Sequence, residues 1–242
     1  LGRISRGIDK GVHLNKIDTF RARRAKRLFT LTTELDKCAG ADLIIEAVYD
    51  DLELKKTVFR ALDDLVRPET ILATTTNTLS VTKLAATTRF PERVLGLHFC
   101  NPAHIMRLVE VVRAEQTRQD MLEQALDLVR KIGKTPIQVR DNPGLVVNRI
   151  AQAYYGEALC LLDDSSLDIE TIDRLMEAAD FPMGPFRLMD FLGVDTTFRV
   201  TKAIFEMTYF TAPYRPHPRQ QRLIEAGRLG RKNGRGFYDR SG

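Results

Sequence analysis

The feature that most constrains the fold is a regular alternation of strand-like and helix-like segments between residues 41 and 141. The run ADLIIEAV (41–48) is continuously apolar, which is typical of a strand covered on both faces. The segment LELKKTVFRALDDLV (52–66) instead repeats apolar residues every three or four positions, the period of an amphipathic helix. Similar strands are predicted at 70–76, 93–100, 108–114 and 135–141, and similar helices at 81–88 and 120–133. This order predicts an α/β Rossmann-like domain, a doubly wound sheet with helices on both faces.

The pattern changes after Asp141. Asn142-Pro143-Gly144 predicts a helix N-cap followed by proline in the first turn, and the helical pattern then continues through 145–162. Strand-like runs of comparable quality do not follow. We therefore expect a doubly wound α/β domain at 1–141 and a mainly helical domain at 142–242.

The composition excludes several classes of protein. A hydrophobic fraction of 43% and a charged fraction of 29% are typical of a soluble globular chain, and no apolar run approaches the ~18 residues of a membrane span. Three widely spaced cysteines suit a reducing compartment, so we expect a cytoplasmic protein. The four histidines and three cysteines show no metal-ligand spacing. A net charge of +5 suits an anionic ligand, but no nucleic-acid-binding module is recognisable, so neither nucleic acid nor membrane is an expected partner.

Two neighbouring predicted strands each carry one polar residue among apolar ones. His98 lies in VLGLHFC (94–100) and Glu110 lies in LVEVV (108–112). If the two strands are adjacent, the carboxylate can orient the imidazole, and an oriented imidazole is suited to act as a general base. The alternative is structural: a core histidine with satisfied hydrogen bonds and a charge on an edge strand. The two residues alone leave both interpretations open.

Longer segments resemble a known family. These segments are ADLIIEAVYDDLELKKTVF (41–59), GLHFCNPAHIMRLVEVV (96–112), DNPGLVVNRI (141–150), PMGPFRLMDFLGVD (182–195) and GRLGRKNGRGFYD (227–239). In order and spacing they resemble the 3-hydroxyacyl-CoA dehydrogenase family, most of all its short branch, the 3-hydroxybutyryl-CoA dehydrogenases. The resemblance runs along the whole chain.

The resemblance implies reversible oxidation of an L-3-hydroxyacyl-CoA to the 3-ketoacyl-CoA, with NAD as the cofactor. It implies that His98 is the general base, that Glu110 is the carboxylate paired with it, and that Asn148 is the amide that holds the oxygens of the substrate. It also implies an acyl-CoA substrate and a homodimer formed through the C-terminal domain.

The resemblance assigns further residues to binding. Asp50 stands where the family usually has a glutamate that contacts the ribose of the cofactor, and Lys55 and Asn101 match other positions near the cofactor. Arg6 and Lys10, in a helical pattern that includes Leu1, Ile4 and Ile8, stand roughly where family members place basic residues near CoA. A cation-rich helix is also common on a solvated surface, so the last two roles have a plain structural alternative.

The chain departs from the family pattern in two places. The family commonly reads S-N-T-S-S after the strand at 70–76, and its first paired serine contacts the reacting hydroxyl. Asn77 occupies that position here, and an amide can both donate and accept hydrogen bonds. We therefore expect Asn77 to contact substrate with altered geometry, unless Thr78 or Ser80 supplies the hydroxyl.

The second departure concerns the cofactor. The family begins with a strand, a G-x-G-x-x-G turn and a helix that hold the dinucleotide pyrophosphate, and this motif does not occur in the printed sequence. A unit of that kind takes roughly 30 residues. We expect such a unit to precede Leu1, and we expect the chain without it to bind NAD poorly.

Two other readings of the function remain open at this level. One is a dehydrogenase of another 3-hydroxy acid, which the change at Asn77 favours. The other is a non-catalytic binding or structural protein of the same fold. The joint presence of His98, Glu110 and Asn148 argues against the second reading, because a structural protein has no need for this set.

Overall fold

The computed structural model describes residues 2–239, and its centre is a five-stranded sheet in the order β1–β2–β3–β4–β5. The strands are β1 (Leu43–Glu46), β2 (Ile71–Thr74), β3 (Val94–Phe99), β4 (Leu108–Arg113) and β5 (Thr135–Arg140). Neighbouring strands are parallel except β3 and β4, which are antiparallel. The link at 100–107 explains this exception, because a parallel crossover needs about a dozen residues or more. All five strands were predicted, and each is shorter than its apolar run.

The helices predicted at 52–66, 81–88 and 120–133 are present, and a further helix at Thr19–Arg27 was not predicted. In the sheet-containing part the helices are α1 (Gly2–His13), α2 (Thr19–Arg27), α3 (Leu52–Leu65), α4 (Val81–Ala85) and α5 (Gln119–Lys131). In the helical part they are α6 (Val147–Asp164), α7 (Ile169–Ala178), α8 (Pro185–Leu192), α9 (Val194–Met207) and α10 (Pro218–Glu225). Leu1, which began the predicted opening helix, lies outside the described residues. Within 2–239, no helix is both long enough and apolar enough to cross a bilayer.

Helices bury both faces of the sheet. One face of the strands, including Leu72 and Val94, packs against α3 and α4, and the other face, including Ala73 and Leu95, packs against α5. Residues that alternate along one strand thus enter two different cores, which is why the strands read as continuous apolar runs. The presence of helices on both faces of the sheet confirms the predicted α/β class.

The start of the helical part differs from the prediction. Asn142 is not an N-cap, because α6 begins only at Val147. Gly144 has φ +75° and Leu145 has φ +53°, and these left-handed conformations cannot belong to a right-handed helix. A Cβ atom on Gly144 would also collide with the side chain of Ile204. The predicted division near residue 141 stays a prediction.

Two buried aspartates fix the C-terminal segments. Asp173 accepts hydrogen bonds from the amide of Phe186 at 2.8 Å and from the hydroxyl of Tyr238 at 2.7 Å. Asp190 accepts hydrogen bonds from the amides of Phe237 at 2.8 Å and Tyr238 at 3.0 Å. The segments 182–195 and 227–239 are therefore joined to each other by hydrogen bonds, and their contribution is to the fold.

Candidate active site

The antiparallel pairing of β3 and β4 brings His98 directly opposite Glu110. Nδ1 of His98 lies 2.6 Å from Oε2 of Glu110. The side chain of Glu110 is fully buried, and that of His98 is 11% exposed. The predicted contact is therefore present, and the imidazole keeps a small opening to the surroundings.

The second oxygen of Glu110 caps a helix in the other part of the molecule. Oε1 accepts hydrogen bonds from the amides of Val146 at 2.8 Å and Val147 at 3.1 Å, at the N-terminus of α6. These amides otherwise have no partner within the helix. One carboxylate thus orients the histidine of the sheet and fixes the start of the first helix of the helical part.

The environment keeps Glu110 ionised. Burial alone raises its pKa, but the hydrogen bonds from His98, Val147 and Val146 and the charge of His98 outweigh burial and hold the pKa below its ordinary value of 4.5. An ionised carboxylate only accepts, so Nδ1 of His98 carries the proton that it donates. In the neutral ring Nε2 is then an acceptor, and this tautomer follows from the hydrogen-bond network.

Asn77 reaches that nitrogen. Its Nδ2 lies 3.3 Å from Nε2 of His98, in the segment that follows β2. The hydroxyl of Thr76 shapes this segment by accepting hydrogen bonds from the amides of Thr78 and Leu79. Asn77, the residue in the serine position of the family pattern, therefore lies beside the ring nitrogen that can accept a proton.

Asn148 lies in the first turn of α6, directly after the amides that Glu110 holds. Its Nδ2 is buried and has no hydrogen-bond partner in the part of the chain that the structure describes. An unsatisfied buried donor costs about 1–3 kcal/mol, so native structures usually have a reason for it. A substrate oxygen would satisfy this donor.

Asp50 and Lys55, both expected near the cofactor, have different environments. Asp50 follows β1 at the carboxyl edge of the sheet, and its side chain is 41% exposed. Lys55 is buried, and its Nζ contacts Glu46 Oε1 at 2.8 Å and Oε2 at 3.0 Å and the carbonyl of Val48 at 3.2 Å. The carboxylate of Asp50 contacts Lys55 and Thr78 but is exposed enough to reach a ligand, whereas the ammonium of Lys55 is enclosed by protein partners. A direct contact of Lys55 with the cofactor stays a prediction.

The remaining predicted residues lie further out. Asn101 is exposed in the loop after β3, and Nζ of Lys134 holds that loop through the carbonyls of Ala103 at 2.5 Å and Met106 at 2.7 Å. Arg6 and Lys10 are exposed on α1, which packs against α2. Their roles near the cofactor and near CoA stay predictions.

Cys100 follows β3 and is buried close to the pair. Burial, together with the charge of Glu110, raises the pKa of its thiol. The thiol is therefore protonated at neutral pH and is a poor nucleophile. Among the described residues, groups of histidine, cysteine, aspartate and glutamate that could hold a metal ion are absent.

Part of the buried polar network around Glu46 was not predicted from the sequence. Glu46 is buried at the end of β1 and accepts hydrogen bonds from Lys55 and from the hydroxyl of Thr74 at 2.8 Å. A signal was present, because Glu46 interrupts the apolar run ADLIIEAV just as His98 and Glu110 interrupt theirs. The capping of α6 by Glu110 carried no signal, since the partners are 36 residues apart.

The donors and acceptors at this edge of the sheet fit a cofactor with hydroxyls and a substrate with carbonyl oxygens. Asp50 offers a partly exposed carboxylate that can accept hydrogen bonds from a ribose, and Asn148 offers a donor without a partner among residues 2–239. Asp50 follows β1, and Asn148 lies in the first turn of α6 near the carboxyl end of β3. Ligands of open α/β sheets bind at this edge, beyond the carboxyl ends of the strands.

Comparison with known proteins identifies the family. Residues 1–142 match the domain described as "3-hydroxyacyl-CoA dehydrogenase, NAD binding domain", and residues 144–240 match "3-hydroxyacyl-CoA dehydrogenase, C-terminal domain". The chain therefore belongs to the 3-hydroxyacyl-CoA dehydrogenase family. This membership confirms the resemblance and the predicted fold class.

Individual relatives agree with this assignment. The chain is 43% identical to 3-hydroxyadipyl-CoA dehydrogenase of Escherichia coli (strain K12) over 218 residues, which cover 90% of the chain and 46% of that protein. It is 38% identical to 3-hydroxybutyryl-CoA dehydrogenase of Clostridioides difficile over 209 residues, which cover 86% of the chain and 74% of that protein. The chain thus spans less than half of one relative and about three quarters of the other.

Solved structures have the same fold. A 3-hydroxybutyryl-CoA dehydrogenase from Escherichia coli K12 superposes with a TM-score of 0.97 at 38% identity, covering 100% of this chain and 51% of that one. The (S)-3-hydroxybutyryl-CoA dehydrogenase from Ralstonia eutropha superposes with a TM-score of 0.95 at 33% identity, covering 100% and 85%. These similarities extend over both the sheet and the helical part.

Proposed function

We propose that this protein catalyses the NAD-dependent, reversible oxidation of an L-3-hydroxyacyl-CoA to the corresponding 3-ketoacyl-CoA. The observation that carries the proposal is the 2.6 Å contact between His98 and the buried carboxylate of Glu110. This contact leaves Nε2 of His98 as the acceptor nitrogen, in a chain that has the fold of the 3-hydroxyacyl-CoA dehydrogenase family. A purely structural protein would have little use for a buried carboxylate that orients a partly exposed imidazole, because apolar residues of similar volume usually stabilise a fold at least as well.

His98 acts as the general base. Its Nε2 accepts the proton of the 3-hydroxyl, and Glu110 stabilises the imidazolium that results while holding the ring in one orientation. Bound NAD, held at its ribose by Asp50, would supply the acceptor for the hydride that leaves C3 of the substrate. In the reverse direction His98 returns the proton to the oxygen of the ketone.

Two amides position the substrate. Nδ2 of Asn148, which has no partner among the described residues, donates to an oxygen of the acyl group. Nδ2 of Asn77, which contacts Nε2 of His98 in the free protein, donates to the reacting oxygen once the substrate hydroxyl takes its place at Nε2. Directed donors of this kind lower the free energy of the transition state most when they are fixed before the substrate arrives. The cap that Glu110 places on α6 fixes Asn148 in this way.

The binding residues follow the family pattern. Asp50 accepts hydrogen bonds from ribose hydroxyls, and Asn101 and Lys55 contribute to the cofactor site, directly or by shaping the loop around it. Arg6 and Lys10 provide positive charge for the phosphates of CoA. NAD and an acyl-CoA are thus the proposed ligands, in a protein that we place in the cytoplasm.

We also propose a homodimer that forms through the helical part. Large apolar side chains are exposed there, among them Ile150, Leu161 and Leu175. These side chains are available to an interface, and the family resemblance supplies the expectation that a second copy of the chain covers them. Size-exclusion chromatography with light scattering is expected to give twice the monomer mass, and the monomer mass at micromolar concentration would contradict the dimer.

Substrate panels test the activity. The full-length protein is expected to oxidise NADH with acetoacetyl-CoA and to reduce NAD with L-3-hydroxybutyryl-CoA or L-3-hydroxyadipyl-CoA, since relatives carry both names. Free 3-hydroxy acids are also tested. They are the substrates of a second candidate, a dehydrogenase of another 3-hydroxy acid, which the presence of Asn77 in the serine position leaves open. Turnover of free acids alone would support that candidate, and inactivity on every substrate would contradict the proposal.

A further inference from the structure

We propose that Thr78 and Lys55 are positioning residues, which hold the Asn77 segment against His98 through the carboxylate of Asp50. This inference rests on the proposed function for its kinetic consequence. Its structural consequence can be measured without any activity.

Lys55 forms the base of this arrangement. Its ammonium is buried, with a side-chain exposure of 1%, between the carboxylates of Glu46 at 2.8 Å and Asp50 at 3.4 Å. A buried ammonium must be paired, and the pairing fixes the turn between β1 and α3 that carries Asp50. Glu46 also accepts a hydrogen bond from Thr74, the last residue of β2, so the ends of β1 and β2 are fixed together.

Asp50 transmits this position to the next segment. Its Oδ1 faces Lys55, and its Oδ2 accepts a 2.8 Å hydrogen bond from the hydroxyl of Thr78. A hydrogen bond to a charged acceptor is stronger than one between neutral groups. The same carboxylate that we propose for the ribose therefore also restrains the segment between β2 and α4.

Thr78 lies next to Asn77, whose amide is 3.3 Å from Nε2 of His98. Thr76 precedes Asn77, and its hydroxyl accepts hydrogen bonds from the amides of Thr78 and Leu79, which closes the turn around Asn77. A shift of Thr78 therefore moves Asn77 relative to the imidazole. Neither Thr78 nor Lys55 has a hydrogen bond to His98 in the described structure, so both act through Asn77.

The test compares Thr78→Val, which removes the hydroxyl at constant size, with Thr78→Ser, which keeps a hydroxyl. Thr57→Val is the matched control, because within residues 2–239 the Thr57 hydroxyl donates its one hydrogen bond to the carbonyl of Glu53 on the surface of α3. The chain, labelled with ¹⁵N-histidine, contains four histidines, and His98→Gln assigns the resonances of His98. The measured quantity is the chemical shift of the ring nitrogens of His98.

Thr78→Val is expected to move the Nε2 resonance of His98, and Thr78→Ser and Thr57→Val are expected to leave it at the parent position. In the full-length enzyme Thr78→Val should lower kcat by about 3- to 10-fold, the value of one hydrogen bond, with KM for the acyl-CoA within about twofold. An unchanged Nε2 resonance in folded Thr78→Val would overturn the inference, and so would failure of Thr78→Ser to restore it.

If Thr78→Val does not fold, Thr78→Ala replaces it with the same expected result. A parent enzyme that is inactive on all acyl-CoA substrates contradicts the proposed function alone, because the resonance of His98 still reports whether Thr78 positions the imidazole. A resonance that does not move in an active enzyme contradicts this inference alone.

Discussion

Glu110 contacts both His98 in the sheet and the first turn of α6. Its Oε2 lies 2.6 Å from Nδ1 of His98, and its Oε1 accepts hydrogen bonds from the first amides of α6. The orientation of the proposed base and the position of Asn148 therefore depend on one carboxylate. A change at Glu110 is expected to affect the fold and the chemistry together.

Replacement of this carboxylate tests its structural role. Glu110→Gln keeps the size but loses the charge, and its amide nitrogen cannot accept a hydrogen bond from His98 or from α6. We expect the free energy of unfolding to fall by about 1–3 kcal/mol at pH 7, the cost of leaving buried polar groups unsatisfied. Urea denaturation measures this quantity. Glu115→Gln, an exposed neighbour beyond β4, is the control, and an equal loss in both variants would contradict the account.

The same pair predicts a dependence of stability on pH. The pKa of Glu110 in the folded protein lies below its ordinary value of 4.5, so ionised Glu110 stabilises the fold above that pH. As pH falls through 4.5 towards the folded pKa, this stabilisation is lost. The difference in unfolding free energy between the parent and Glu110→Gln should therefore be largest above about pH 5 and shrink towards pH 3. A difference that stays constant over this range would refute the lowered pKa.

Asn148 is predicted to support activity and not to stabilise the fold. Its Nδ2 has no partner in the described structure, so Asn148→Ala removes no hydrogen bond of that atom and should leave the free energy of unfolding unchanged or raise it by up to about 1–3 kcal/mol, the cost of an unsatisfied buried donor. Loss of a donor to the substrate should lower kcat/KM by about tenfold or more. Denaturation and steady-state kinetics on the same preparation decide the point, and a destabilised variant with full activity would oppose it.

The C-terminal segments are predicted to matter for stability. A Cβ atom on Gly184 would lie 2.4 Å from atoms of Asp173, whereas the nearest atom to a Cβ on Gly156 of α6 is 4.0 Å away. Gly184→Ala should destabilise the fold by about 1–3 kcal/mol through overpacking. Gly156→Ala should be neutral or stabilising by up to about 1 kcal/mol, since alanine favours a helix. Similar melting temperatures for the two variants would argue against this packing.

Sequence periodicity predicted the elements that local patterns determine. The apolar runs predicted the strands that carry His98 and Glu110, and the expectation that the two residues meet depended on those strands being adjacent. The structure pairs the strands and has the two residues in contact. The start of α6 was wrong, because Asn142-Pro143-Gly144 has the residues of a cap while the left-handed Gly144 and Leu145 delay the helix. Its real cap comes from a distant strand, and such a contact depends on how the elements pack and leaves no local pattern.

The buried network shows the same limit. Lys55 carries a charge on the amphipathic pattern of α3, and nothing in that pattern distinguishes it from the partly exposed Lys56 beside it, which pairs with Glu53 at the surface. Its burial follows from Glu46 at the end of β1, which only the packed sheet brings within 2.8 Å. Long-range pairs of charges thus need the structure, even when each residue is visible in the sequence.

The most direct test of the central claim is the rate of NAD reduction by L-3-hydroxybutyryl-CoA in the full-length protein and in His98→Gln, with unfolding measured on both. The account predicts turnover by the parent and a rate lower by about 10²- to 10⁴-fold in His98→Gln, the usual contribution of a general base, with the fold retained. A folded His98→Gln variant that turns over as fast as the parent would contradict it.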